Sequence, residues 1–250
     1  MHPAAFRKIG SCNPHCFSGK TLCSDSRIHQ GRGLGPKKMN TKLKLHSALL
    51  ALALPQLAWP IVTATPESAP LILAAKFVEY TDPSSGNPVL SFEQAATLVI
   101  GLNKIYDQCG IKIKLDQYQA LDPSTQDLPY NLSSMPELDP IRKRFDDPHE
   151  IVVVNTGPWN HRTIGSANAW TAMPGDQPAG AVIESTVATD APVVAHELGH
   201  YLGLDHLKQA SNEMNPIIYG DSTKFETWQC ESMKKTAELA RAGAIRATID

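Results

Sequence analysis

The segment His196-Glu197-Leu198-Gly199-His200-Tyr201-Leu202-Gly203-Leu204-Asp205-His206 places three imidazoles and a carboxylate in one short stretch. On a helix, residues four apart share a face, so His196 and His200 can reach the same metal ion. Glu197 sits beside them, where it can hold a water delivered to that ion. Gly203 falls where the helix should end, and glycine tolerates the left-handed backbone that turns a chain sharply. Such a turn would return His206 as a third imidazole. Three protein ligands leave the fourth position of a zinc ion open, which is the catalytic rather than the structural arrangement. The chemistry implied is hydrolysis by zinc-activated water, with Glu197 accepting the proton and later delivering it as general base and acid.

A bare HExxH recurs by chance as an ordinary solvated helix face, whereas HExxHxxGxxH fixes three His, one Glu and one Gly. Met214 follows within Asn212-Glu213-Met214-Asn215-Pro216. Alone it would read as core filling, but after the third His it matches a methionine turn. Together these residues resemble the metzincin clan of zinc metalloproteases, and within it most of all the matrixins. Leu202 to His206, the short step to Met214, Ala167-Asn168-Ala169-Trp170 and Gly180-Ala181-Val182-Ile183 carry that likeness, which covers residues 150–220. The resemblance implies an α+β zincin fold: a twisted mixed β-sheet, an active-site helix, a Met-turn and a C-terminal helix. It also implies one catalytic zinc on His196, His200 and His206. A protein or peptide substrate would lie extended along a rim strand at Ala167 and Ala169, with Pro216 and Ile217 walling the main side-chain pocket. The chain departs from the matrixin pattern in several places. Leu207 stands where matrixins carry Ser, and Glu184 alone lies near their acidic ion-binding positions, so structural zinc and calcium gain no support. No cysteine-switch segment is visible, and the tyrosine beyond the Met-turn is shifted to Tyr219. Pro216 occupies the place of the tyrosine found in astacin-like and serralysin-like enzymes, so no tyrosine ligand is expected.

The elements that must position these residues can be read from pattern. Leu71 to Tyr80 is apolar enough for a strand stopped by Asp82-Pro83-Ser84-Ser85-Gly86. Ser91 with Gln94 makes a capping box for a helix on which Phe92, Ala95, Ala96, Val99 and Tyr106 share helical spacing, with Asn103 as a polar exception. That helix ends near Cys109-Gly110, and Ile111, Ile113 and Leu115 alternate with lysines as a half-buried strand. Residues 116–147 read as loop with a short helix near Pro140 to Phe145. Ile151 to Val154 is a buried central strand. Thr189-Asp190-Ala191-Pro192 supplies an N-cap and an early proline for the zinc helix, which docks through Val194, Leu198 and Tyr201. A last helix is expected over residues 223–244. His149 and His161 read as polar loop residues without evident partners, and Trp159 and Trp170 as packing or substrate contacts.

Residues 1–38 read as a non-native or disordered extension, because Met39 opens a secretory signal covering residues 39–64. Lys42 and Lys44 give its basic start, Ala48 to Ala58 its short apolar run and Val62-Thr63-Ala64 its small cleavage residues. Cys12, Cys16 and Cys23 fit no usual zinc spacing. A catalytic domain would then run over residues 65–250. Of 23 basic and 25 acidic residues, 9 and 1 precede residue 65, leaving 14 and 24, a net charge of −10. Such a surface repels phosphate backbones and anionic lipid, which argues against nucleic-acid partners and against membrane insertion once the signal is removed. Cys109 and Cys230 remain, and in an exported chain an isolated pair forms a disulfide. The expected protein is a secreted or periplasmic zinc endopeptidase, its oligomeric state left open. The rivals are a secreted zinc-binding recognition module without turnover, which the presence of Glu197 disfavours, and a peptidoglycan-directed peptidase, for which no wall-binding module is visible.

Overall fold

A computed structural model of the chain describes residues 7–8, 69–219 and 221–248. The readings of a signal over residues 39–64 and of Cys12, Cys16 and Cys23 fall outside the described residues. In chain order the strands are β1 (Arg7–Lys8), β2 (Leu71–Tyr80), β3 (Ile111–Leu121), β4 (Ile151–Thr156), β5 (Ala169–Thr171), β6 (Ala181–Glu184), β7 (Ile217–Ile218) and β8 (Ile245–Arg246). The helices are α1 (Phe92–Tyr106), α2 (Leu138–Phe145), α3 (His161–Ile164), α4 (Ala191–Tyr201) and α5 (Thr227–Ala240).

The main sheet runs β3-β2-β4-β6-β5, with β8 added beside β2, while β1 and β7 form a separate antiparallel pair. β2, β3, β4 and β6 are mutually parallel and β5 is antiparallel to β6, so the sheet is mixed. β2 and β4 are apolar almost throughout because both of their faces are covered. Leu73, Ala75, Phe77, Ile151 and Val153 pack with α1 and α4 on one side. The alternate residues Val78, Tyr80, Val152 and Val154 pack with Leu138, Ile141 and Phe145 of α2 on the other. This is the twisted mixed sheet with a histidine-bearing helix and a C-terminal helix that the resemblance implies.

Ser91 caps α1 as expected, its hydroxyl accepting from Gln94 N–H while the Gln94 side chain accepts from Ser91 N–H at 2.8 Å. The polar exception on that helix, Asn103, bonds both main-chain groups of Ile113, at 2.7 and 3.0 Å, and so fastens α1 to β3. The buried face is Ala95, Leu98, Val99, Leu102, Ile105 and Tyr106, and Phe92 is exposed, edge-on to Tyr118. β3 continues to Leu121, where loop was expected from residue 116, because the parallel ladder to β2 persists past an irregularity between Ala75 and Lys76. Asp190 occupies the N-cap position of α4, yet its side chain makes no capping bond there. Pro192 in the first turn serves the entry instead. α5 is shorter than expected. Cys230 on it is bonded to Cys109 just past α1, with Cα atoms 4.8 Å apart. No helix among the described residues is long and apolar enough to cross a membrane.

Candidate active site

α4 delivers His196 and His200 one turn apart, and the chain reverses at Gly203, whose φ is +89°. The reversal is fixed by Gly203 N–H donating to His200 O at 2.9 Å and Leu204 N–H to Gly199 O at 3.0 Å. It brings Leu204 O within 2.7 Å of His200 Nδ1, and it returns His206 to face the helix. His196 Nδ1 lies 2.7 Å from Glu213 O. Because carbonyls accept, both Nδ1 atoms carry the proton and both Nε2 atoms present lone pairs.

The three Nε2 atoms of His196, His200 and His206 stand 3.1 to 3.2 Å from one another. Tetrahedral ligation with zinc–nitrogen bonds near 2.0–2.1 Å needs separations of about 3.3 Å, so the donor set fits zinc. Burial pushes all three imidazoles below the ordinary value of 6.5, His200 to about 4. Low values favour the neutral form that ligates metal. Among the described residues this is the one group of three His, Cys, Asp or Glu side chains whose ligand atoms converge so closely.

Met214 is fully buried under the site. Its sulfur rests against Gly199, where an added Cβ would lie 2.4 Å from Sδ, so close approach explains the glycine between the two histidines. The turn around Met214 is held by Leu207 N–H to Met214 O at 2.8 Å and by Met214 N–H to Asn212 Oδ1 at 2.9 Å. Asn212 is in turn paired with Gln229 of α5 at 2.7 Å. Neither amide was flagged by the motif, since only packing of α5 against the turn gives them a role.

Glu197 is buried, and burial raises its carboxyl to about 8 despite a hydrogen bond from Thr171 and the positive field of Arg142. Thr171 Oγ1 donates to Glu197 Oε2 at 2.5 Å. Oε1 has no hydrogen-bond partner among the described residues. Arg142 lies on α2, buried, with one nitrogen bonded to Asp139 and its Nε and Nη1 without partners among the described residues. Sequence reasoning missed both Thr171 and Arg142.

The side chains of Ala167 and Ala169 are buried, so contact with a substrate there would run through the main chain. Ala167 precedes β5 rather than lying in it. Pro216 and Ile217 are half-buried just beyond the Met-turn. His161 does have partners: Nε2 lies 3.1 Å from Glu184 and Nδ1 lies 2.9 Å from Gly165 O. Glu184 also accepts from Trp159 N–H at 2.9 Å and from the Asn168 amide, so it anchors the segment leading into β5. Trp159 is core, with Nε1 donating to Thr156 Oγ1 at 2.8 Å, whereas Trp170 is half-buried and His149 exposed.

Residues 92–207 match the family model of reprolysin-like metallo-peptidases of family M12B. No curated protein gives a significant match. Among solved structures, metalloproteinase-II from Bacteroides fragilis is similar at 14% identity and a TM-score of 0.42, over 69% of this chain and 55% of that one. The chain therefore spans little more than half the length of that protein. The family match and the histidine cluster support a zinc metallopeptidase of metzincin type and do not single out the matrixins.

Proposed function

We propose that this chain is a secreted zinc-dependent endopeptidase in which Glu197 acts as general base and then general acid. The observation that carries the reading is the convergence of three imidazole nitrogens within 3.2 Å of one another on the helix that also bears Glu197. His196, His200 and His206 would hold the ion, which when bound supplies Lewis acidity to activate water and polarise a carbonyl. Glu197 is set apart from them by burial and by its hydrogen bond, with Oε1 left to take a proton from water and return it to the leaving amine. β5 ends the sheet order, and a peptide lying extended beside it would add one strand through main-chain hydrogen bonds. Pro216 and Ile217 would contribute to the wall of its side-chain pocket. The local matrixin-like features are the short step from His206 to Met214 and the segment Gly180 to Ile183. The basic and apolar pattern of residues 39–64 and the Cys109–Cys230 bond support export, with the catalytic domain beginning near Thr65.

The test compares Glu197→Gln with His200→Ala on a peptide that the parent cleaves. Glu197→Gln should keep zinc and fold while hydrolysis falls at least about 10²–10⁴-fold. His200→Ala should lose metal as well as activity. Parental turnover by zinc-loaded Glu197→Gln would refute the assignment of the base.

A further inference from the structure

Thr171 is the last residue of β5 and its side chain is buried, 1% exposed, while Trp170 before it is half-buried against the cluster that holds Val152, Val154 and Val182. Antiparallel pairing with β6 fixes its backbone opposite Ala181. A β-branched side chain has few χ1 choices on such a backbone. Its single hydroxyl proton is given to Glu197 Oε2, across 26 residues of sequence, at 2.5 Å. When Glu197 is ionised this bond is charge-assisted, shorter and stronger than one between neutral groups, and it favours that ionised form against the effect of burial.

The consequence is that the two oxygens of Glu197 are not equivalent. Oε2 is tied to the sheet, and turning the carboxylate about its terminal torsion would break that tie inside a buried site. Oε1 has no partner among the described residues and is the oxygen left for proton transfer. A glutamate reaching out from a helix has three side-chain torsions to order, and nothing else among the described side chains hydrogen-bonds this carboxylate. We propose that Thr171 is the positioning residue of the general base, anchoring Oε2 to the rim strand so that Oε1 is held ready to accept a proton. This rests on the reading of Glu197 as the base. It also joins two parts of the site, since the strand beside which a peptide would lie is the strand that orients the base.

The test uses the zinc-loaded protein with ¹³C-labelled glutamate carboxyls, the Glu197 signal being assigned by its loss in Glu197→Gln. Thr171→Val keeps the branched shape without the donor, and Thr171→Ser keeps the donor. Thr171→Val should move the Glu197 signal and lower kcat about 10- to 100-fold, with KM within about 2-fold and zinc retained. Thr171→Ser should restore the signal and bring kcat back to within about 3-fold of the parent. Should Thr171→Val fail to fold, Thr171→Ala takes its place in the same comparison. A parental signal and kcat in the variant lacking the hydroxyl overturn the proposal, and so does failure of serine to rescue. If the zinc-loaded parent cleaves no peptide, the peptidase reading falls. The carboxyl signal then still decides on the anchor: a shift with valine but not serine supports it, and no shift overturns it.

Discussion

Glu79 is buried at the end of β2, where Oε2 accepts from Leu90 N–H at 3.0 Å and Oε1 from the Asn155 amide at 2.7 Å. Burial outweighs both bonds and raises the carboxyl from 4.5 to about 8. Between those values the folded chain keeps a proton that the unfolded chain releases. The contribution of protonated Glu79 is therefore full below pH 4.5 and is lost as the pH rises through about 8. Glu79→Gln is uncharged throughout. It can offer oxygen to Leu90 N–H and its amide to Asn155, turned so that its own oxygen accepts. The variant should thus gain on the parent, by up to a few kcal/mol, between pH 5 and pH 9 in urea unfolding. A difference that stays constant over that range contradicts this account of Glu79. At the same scale, the three histidines and Glu197 were legible because helix geometry and one glycine turn fix them locally. Thr171 was not, because its bond to Glu197 depends on how β5 pairs with β6, which the spacing of residues does not encode.

The disulfide between Cys109 and Cys230 links the end of α1 to α5 across 121 residues. Closing so long a loop restricts the unfolded chain, and its loss should cost about 2–5 kcal/mol. The effect should reach the Met-turn, because α5 carries Gln229, which pairs with Asn212 beside Met214. In thermal unfolding, reductant should lower the Tm of the parent to that of a Cys109→Ser/Cys230→Ser variant and leave the variant unmoved. Identical melting of the parent with and without reductant, matched by the variant, would contradict a stabilising role for the bond. Elements with local signals were legible in the sequence: the Ser91 capping box, the alternation of Ile111 to Leu115 and the apolar run of β4. The second half of β3 was not, since the apolar alternation changes phase at Asp116, from Ile111, Ile113 and Leu115 to Tyr118 and Ala120, where the register with β2 shifts. Gln117, Tyr118 and Gln119 are held as strand by main-chain pairing to β2. Asp190 shows the converse, a capping residue type at the right place that does not cap α4.

Across the whole molecule, the order of strand, helix, strands, histidine-bearing helix, turn at Met214 and terminal helix followed from the resemblance, while the strand order was not legible. β2 pairs with β3 and β4 in parallel, and those partners are separated from it by long crossovers whose path no local pattern specifies. The sheet then brings β5, α4 and the Met-turn together, and that assembly places the histidine nitrogens at the spacing a zinc ion needs. The proposed peptide hydrolysis depends on one zinc ion held by this triad. Its most direct test measures zinc per chain and peptide turnover on the same sample, before chelation, after it and after zinc is restored. About one zinc per chain is expected, with turnover that disappears with the metal and returns with it, and neither metal nor turnover in His206→Ala. Protein purified without metal stripping that holds no metal at His196, His200 and His206, or that hydrolyses peptides equally well without it, would contradict the account.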